Sequence, residues 1–235
     1  MRIEITDFVA GAQAARGLVV VIDVFRAFSV AAHAFARGAR AILPAAAIED
    51  ALALQREYPR SLLVGERHAR RLPGFDCGNS PTELERFDLR ERTLIHTTHA
   101  GTQGLVNALG ADEVITGALV NAGAIVRYIQ SRAPETVTMV RMGHEARERC
   151  EEDDLCADIL RQRLLGAANV IDDVRVRLRR APSAQKFFDP ACDWAPERDF
   201  ELCTQLDAFG FVLRLEADGE RRVLRRIDVA RQNVE

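Results

Sequence analysis

The sequence predicts an α/β fold, a largely parallel sheet or pair of sheets with helices on both faces, completed near its C-terminus by a β-hairpin. Three observations predict it: six short apolar runs rich in β-branched residues, Ala-rich segments of helical pattern between them, and two alternating runs around a turn late in the chain. Strand, helix and strand in series call for right-handed crossovers, which lay helices over both faces of a parallel sheet.

The expected strands are residues 18–23 (LVVVID), 41–45 (AILPA), 61–65 (SLLVG), 92–98 (RTLIHTT), 112–117 (DEVITG) and 136–142 (TVTMVRM). Their apolar stretches are continuous instead of alternating, as in strands covered on both faces. Helices are expected over 27–38, 46–58, 100–110 and 118–132, where alanine and other strong helix formers dominate. A shorter helix is expected at 81–87 with Pro81 in its first turn, and another beginning at the acidic run 151–154, which suits the positive end of a helix dipole. Residues 210–229 alternate around Asp218-Gly219 and read as a hairpin.

Two stretches share one layout. Gly38 and Gly110 each open a Gly-Ala, strand, helix, Pro-containing turn, strand and Gly, and each is preceded by a strand with an Ala-rich helix. The layout implies an internal duplication, residues 18 to about 85 against 93 to about 160, although two unrelated β-α-β units would look similar. The expected organisation is a first half at 1–92, a second half at 93–170, and a C-terminal segment at 171–235 with a helix and the hairpin.

Composition narrows the partners. The net charge of −3 and pI near 6.0 provide no basic field for nucleic acid or anionic lipid. The N-terminus lacks the apolar core of a targeting signal and no later run is long enough to cross a bilayer, so a cytoplasmic protein without membrane contact is expected. Five cysteines, scattered and without a CxxC pair, suggest neither a disulfide framework nor a zinc site. A strand edge such as RRVLRRIDV invites pairing with another chain and points to a homo-oligomer.

Ligands in parallel α/β sheets gather at the carboxyl ends of strands. Asp23 ends the first strand, where it either caps the next helix or holds a hard cation such as Mg²⁺. Arg26 follows closely and either pairs with Asp23 or binds an anion. Glu66, Arg67 and His68 end the third strand, and in the long loop after them Asn79 and Ser80 serve either as a helix cap or as ligand donors. Thr97, Thr98, His99, Gly101 and Thr102 form a turn with the composition of an anion nest, but without the Lys and spacing of a P-loop. Glu152 and Asp153 begin a helix as solvated acids or as metal ligands.

Taken together, VIDVFRA, GER followed by GFDCGNSP, TTHAGT, EDDLCA and DFELCTQLDAFGFV resemble the 2-phosphosulfolactate phosphatases, in the family's order and over nearly the whole chain. The resemblance implies an α/β fold with two similar parts, Mg²⁺ dependence and hydrolysis of a phosphate monoester on a small anionic acid, in the context of coenzyme M biosynthesis. Carried over by position, it implies Asp23 with Glu152 or Asp153 on Mg²⁺, Arg26 and Arg67 as fixed positive charge, and Glu66 orienting water. Asn79, Ser80, Thr97, Thr98, His99, Gly101 and Thr102 would contact the substrate. An aspartyl-phosphate at Asp23 is the competing mechanism. The chain departs from the family pattern at two places: His99-Ala100 stand where the turn has Thr-Asn, and His68-Ala69 where the loop continues with glycines. Both fall in the expected pocket, so a binder of small phosphorylated or carboxylated metabolites, without catalysis or with altered specificity, is the alternative.

Overall fold

Residues 1–167 and 173–230 are described by the computed structural model, in which every apolar run named above forms a strand. The chain begins with β1 (Arg2–Asp7), α1 (Phe8–Ala14), β2 (Leu18–Ile22), α2 (Ala27–Ala36), β3 (Ala41–Pro44), α3 (Ile48–Glu57), β4 (Leu62–Arg67), β5 (Arg70–Arg71) and α4 (Pro81–Leu84). It continues through β6 (Thr93–Thr97), α5 (Gly101–Asn107), β7 (Glu113–Gly117), α6 (Ala122–Arg132), β8 (Thr136–Arg141) and α7 (Glu151–Leu164). Then come α8 (Val174–Arg179), a 3-10 turn (Pro182–Phe187), α9 (Glu197–Cys203), β9 (Phe211–Asp218) and β10 (Arg221–Asp228).

The described strands form one ten-stranded sheet in the order β1-β8-β2-β7-β9-β10-β3-β6-β4-β5. β2 pairs in parallel with β7 and β8, and β6 pairs in parallel with β3 and β4. Each three-stranded lobe therefore takes its central strand from one half of the chain and its flanking strands from the other. Leaving out the outermost β1 and β5, the order is unchanged when the sheet is read backwards with β2, β3, β4 and β9 exchanged for β6, β7, β8 and β10. The halves of the sequence are interlocked in space. The expected boundary at 170/171 lies outside the described residues.

β2 shows why the apolar runs were continuous. Val19 and Val21 pack with Phe28 of α2 and Leu105 of α5, while Leu18, Val20 and Ile22 pack with Ile125 of α6 and Leu155 of α7. Side chains alternate across a strand, so both faces bury their share, at about 1.5–3 kcal/mol per fully buried large side chain.

Two expectations change. The hairpin is not an open edge: β9 pairs with β7 and β10 with β3, both antiparallel, so it sits in the middle of the sheet and joins the lobes. Val212, Leu213, Val223 and Leu224 are buried there, and the pairing surface that pointed to an oligomer is used within the chain. The sequence reading also passed over β1 and α1, because Arg2 and Glu4 break the apolar run; β1 is an edge strand pairing with β8 alone, and Ile3 and Ile5 alternate as an edge allows. Among the described residues no helix is long and apolar enough to cross a membrane.

Candidate active site

The two lobes run in opposite directions, yet the turns after β2 and β6 meet. A Cβ on Gly101, at the start of α5, would fall 2.7 Å from Asp23 Oδ2 and 2.7 Å from Ala27 Cβ, so only glycine permits this approach. Beside it opens a cleft of about 410 Å³, lined by Asp23, Arg26, Glu66, Asn79 and His99 from the chain's first hundred residues and by Glu152 and Asp153 from α7. Seven of the thirteen site residues expected from sequence thus share one cavity.

Asp23 fills the capping role its position suggested. Oδ1 accepts from the backbone N–H of Ala27 at 3.1 Å and caps α2, while Oδ2 makes no hydrogen bond among the described residues. Burial, reinforced by the nearby Glu66 and Glu152 carboxylates, pushes the Asp23 carboxyl up to about 7. Asp153 is also driven well above the usual carboxylate range, first by burial and then by repulsion from Asp23 and Glu152. Its two oxygens accept from Val24 N and Gly143 N, both at 2.8 Å, which ties the ends of β2 and β8 to α7. Glu152 Oε2 accepts from Ser183 Oγ at 2.5 Å. Buried, mutually repelling oxygen donors with Asp23 Oδ2 left over are a ligand set suited to a hard divalent cation.

Arg26 does not pair with Asp23. Its Nη1 donates to Asp199 Oδ2 at 2.6 Å and to Trp194 O at 3.0 Å, and Nη2 donates to Ala69 O at 3.2 Å. Three of the guanidinium's five N–H groups are taken in this way, and the residue lines the cleft. Asp199, fully buried, also accepts from Ser80 Oγ at 2.9 Å and Thr82 N at 3.0 Å.

Other expected residues are held outside the cleft lining, for local reasons. Ser80 caps α4, accepting from Glu83 N at 3.1 Å. Arg67 alternates to the opposite face of β4 from Glu66 and donates to Thr97 Oγ1 at 3.0 Å and Ala46 O at 3.2 Å. The Thr-rich turn is satisfied from within: Thr98 N donates to Thr102 Oγ1 at 2.9 Å and Thr102 N to Thr98 Oγ1 at 3.1 Å. His99 N donates to Glu66 Oε1 at 2.8 Å. Of the residues expected to form an anion nest, Thr98 and Thr102 thus have their N–H groups taken by each other's hydroxyls. Glu66 also accepts from Ala69 N, through Oε2 at 2.8 Å.

The sequence reading missed Lys186. It lines the cleft from the 3-10 turn, with Nζ 5.2 Å from the centre of the Phe187 ring, and burial followed by repulsion from Arg26 pulls it below the usual lysine range. No strand end precedes it, so a search of strand ends passes it by. Composition held a signal: of the 32 basic residues, Lys186 alone is lysine.

The model of the 2-phosphosulpholactate phosphatase family matches residues 5–218. A protein of Bacillus subtilis, called a probable 2-phosphosulfolactate phosphatase, is 29% identical over 211 residues, covering 88% of this chain and 91% of that one. Another of that name from Thermotoga maritima is 32% identical over 202 residues, covering 81% and 85%. A third, from Caldanaerobacter subterraneus subsp. tengcongensis, is 40% identical over 121 residues, a span that is 51% of this chain and 50% of that relative's length.

Proposed function

The chain belongs to the 2-phosphosulpholactate phosphatase family, and from that premise we propose that it is a phosphoric monoester hydrolase acting with Mg²⁺ on a small 2-phospho acid such as 2-phosphosulfolactate. One observation carries the reading: a single cleft faces buried carboxylates, led by Asp23, with Arg26 and the sole lysine, Lys186. A dianionic phosphate is neutralised where cationic groups stand beside metal-binding acids.

In this reading Asp23 and Glu152 would hold the ion, and Asp153 keeps α7 in register through Val24 and Gly143. When bound, Mg²⁺ would screen the phosphate charge and polarise its oxygens. The free N–H groups of Arg26 and the Lys186 ammonium bind phosphoryl oxygens. Glu66, steadied by Ala69 N and His99 N, accepts a proton from the attacking water. As the phosphorus–oxygen bond to the acid breaks, the leaving oxygen takes a proton from Lys186 Nζ. Lysine suits that task because burial lowers its pKa, which arginine's delocalised charge resists. The five cysteines, free where described, agree with a cytoplasmic setting.

The test is phosphate release from 2-phosphosulfolactate, phospholactate and phosphoglycolate, with and without Mg²⁺. Release is expected from at least one of them, lost on chelation and restored by Mg²⁺. No release from any, or release indifferent to chelation, overturns the reading. Water attacks phosphorus directly here, so borohydride should trap no acyl phosphate; a labelled Asp23 would replace this route with the two-step one.

A further inference from the structure

His68 and His99 are far apart in sequence and touch in the fold. Their rings lie 5.0 Å apart at 70°. Glu145, from the loop between β8 and α7, reaches both: its Oε1 is 2.5 Å from His68 Nδ1 and 3.9 Å from His99 Nδ1. One donor atom from each of the three falls within 4.8 Å of the others.

We propose that His68, His99 and Glu145 form a second metal site, for a divalent transition ion such as Zn²⁺, at the rim of the cleft. It is separate from the acidic set around Asp23 and does not depend on the activity proposed above. Two imidazoles and one carboxylate are the protein ligands of many catalytic zinc sites, and imidazole favours such ions over Mg²⁺. A tetrahedral ion bound at about 2.0–2.1 Å needs donors roughly 3.3 Å apart. The separations of 2.5 and 3.9 Å about Glu145 Oε1 bracket that value.

An ordinary ion pair does not explain the cluster. His68 and Glu145 alone would make one, but an exposed pair of this kind contributes little to stability. It would also leave His99 Nδ1, a buried atom with no hydrogen-bond partner, unsatisfied. One metal satisfies all three residues. Backbone contacts aim two of them, His99 through its N–H bond to Glu66 and Glu145 through the turn closed by His144 N to Glu148 O at 2.7 Å. The histidines follow strands of one lobe and Glu145 follows a strand of the other, so an ion here would clasp the lobes across the cleft mouth. His99 and Glu145 line the cleft, and a vacant fourth position would meet an anionic oxygen of a bound molecule.

The test is Zn²⁺ binding to the metal-stripped full chain by calorimetry, with Co²⁺ absorption as a second measurement. One equivalent should bind, and His68→Ala with His99→Ala should weaken it by at least the roughly 100-fold that losing even a supporting partner of a metal ligand can cost. Because His68 is exposed, His68→Ala alone tests the site without endangering the fold, and it too should lower affinity. Asp23→Asn should retain the ion. Absence of stoichiometric binding, unchanged binding in the double variant, loss in Asp23→Asn, or a thiolate-to-Co²⁺ band from a cysteine would each overturn the proposal.

Discussion

Arg26 and Lys186 both border the cleft and do different work. Arg26 is anchored by buried Asp199, so Asp199→Ala strands a buried guanidinium and should cost about 3–5 kcal/mol in urea unfolding. Lys186 has no such anchor among the described residues. Lys186→Met should lower kcat by roughly two to three orders of magnitude, as for loss of one preorganised donor, while leaving the urea midpoint near that of the parent. As the sole lysine it can be titrated directly: after reductive methylation with ¹³C-formaldehyde, its resonance should titrate below the ordinary lysine range, and a normal titration would remove its role as proton donor. His96 supplies a pH dependence of stability. Burial lowers its pKa from 6.5 to about 4. The unfolded chain therefore binds the extra proton first as pH falls, and stability present above pH 6.5 is lost down to pH 4, by about 3 kcal/mol at roughly 1.4 kcal/mol per pH unit. His96→Gln should flatten that part of the urea-midpoint profile. Residues beside strand ends, such as Asp23 and Glu66, could be placed from sequence because topology puts strand ends at ligand sites. Lys186 and Asp199 could not, because they arrive by packing of irregular segments far along the chain.

At the scale of elements, the approach of α2 to α5 depends on Gly101. Gly101→Ala forces a methyl against Asp23 Oδ2 and Ala27 Cβ, each 2.7 Å away, and overpacking of this kind costs about 1–3 kcal/mol. It should also displace Asp23 Oδ2, so loss of stability and loss of Mg²⁺ affinity should appear together in calorimetry; an alanine variant with parental values of both would contradict the packing described. The Thr98–Thr102 pair shows why local composition misled. Hydroxyls and glycines between a strand and a helix serve anion binding or closure of the turn equally well, and here Thr98 and Thr102 bond each other while Glu66 takes the His99 N–H. The six internal strands were legible because double-sided burial demands unbroken apolar runs. β1 was not, since an edge strand tolerates Arg2 and Glu4 on its exposed positions.

At the scale of the molecule, the β9–β10 hairpin was legible as a hairpin but its place was not, because pairing partners are chosen by the whole sheet. It joins the two lobes, so a cavity in it should weaken both together. Leu224→Ala, at a buried position opposite Ile42, should cost about 2–5 kcal/mol while unfolding stays a single transition; separate transitions for the lobes would contradict the interlocked sheet. That sheet brings the ends of β2 and β6 to one cavity, and on this convergence the proposed chemistry depends. The most direct test replaces Mg²⁺ by paramagnetic Mn²⁺ and follows the ³¹P resonance of inorganic phosphate bound to the protein. Strong broadening is expected in the parent, and its loss in Asp23→Asn. Phosphate that binds without broadening, or broadens equally in Asp23→Asn, would contradict the proposed chemistry.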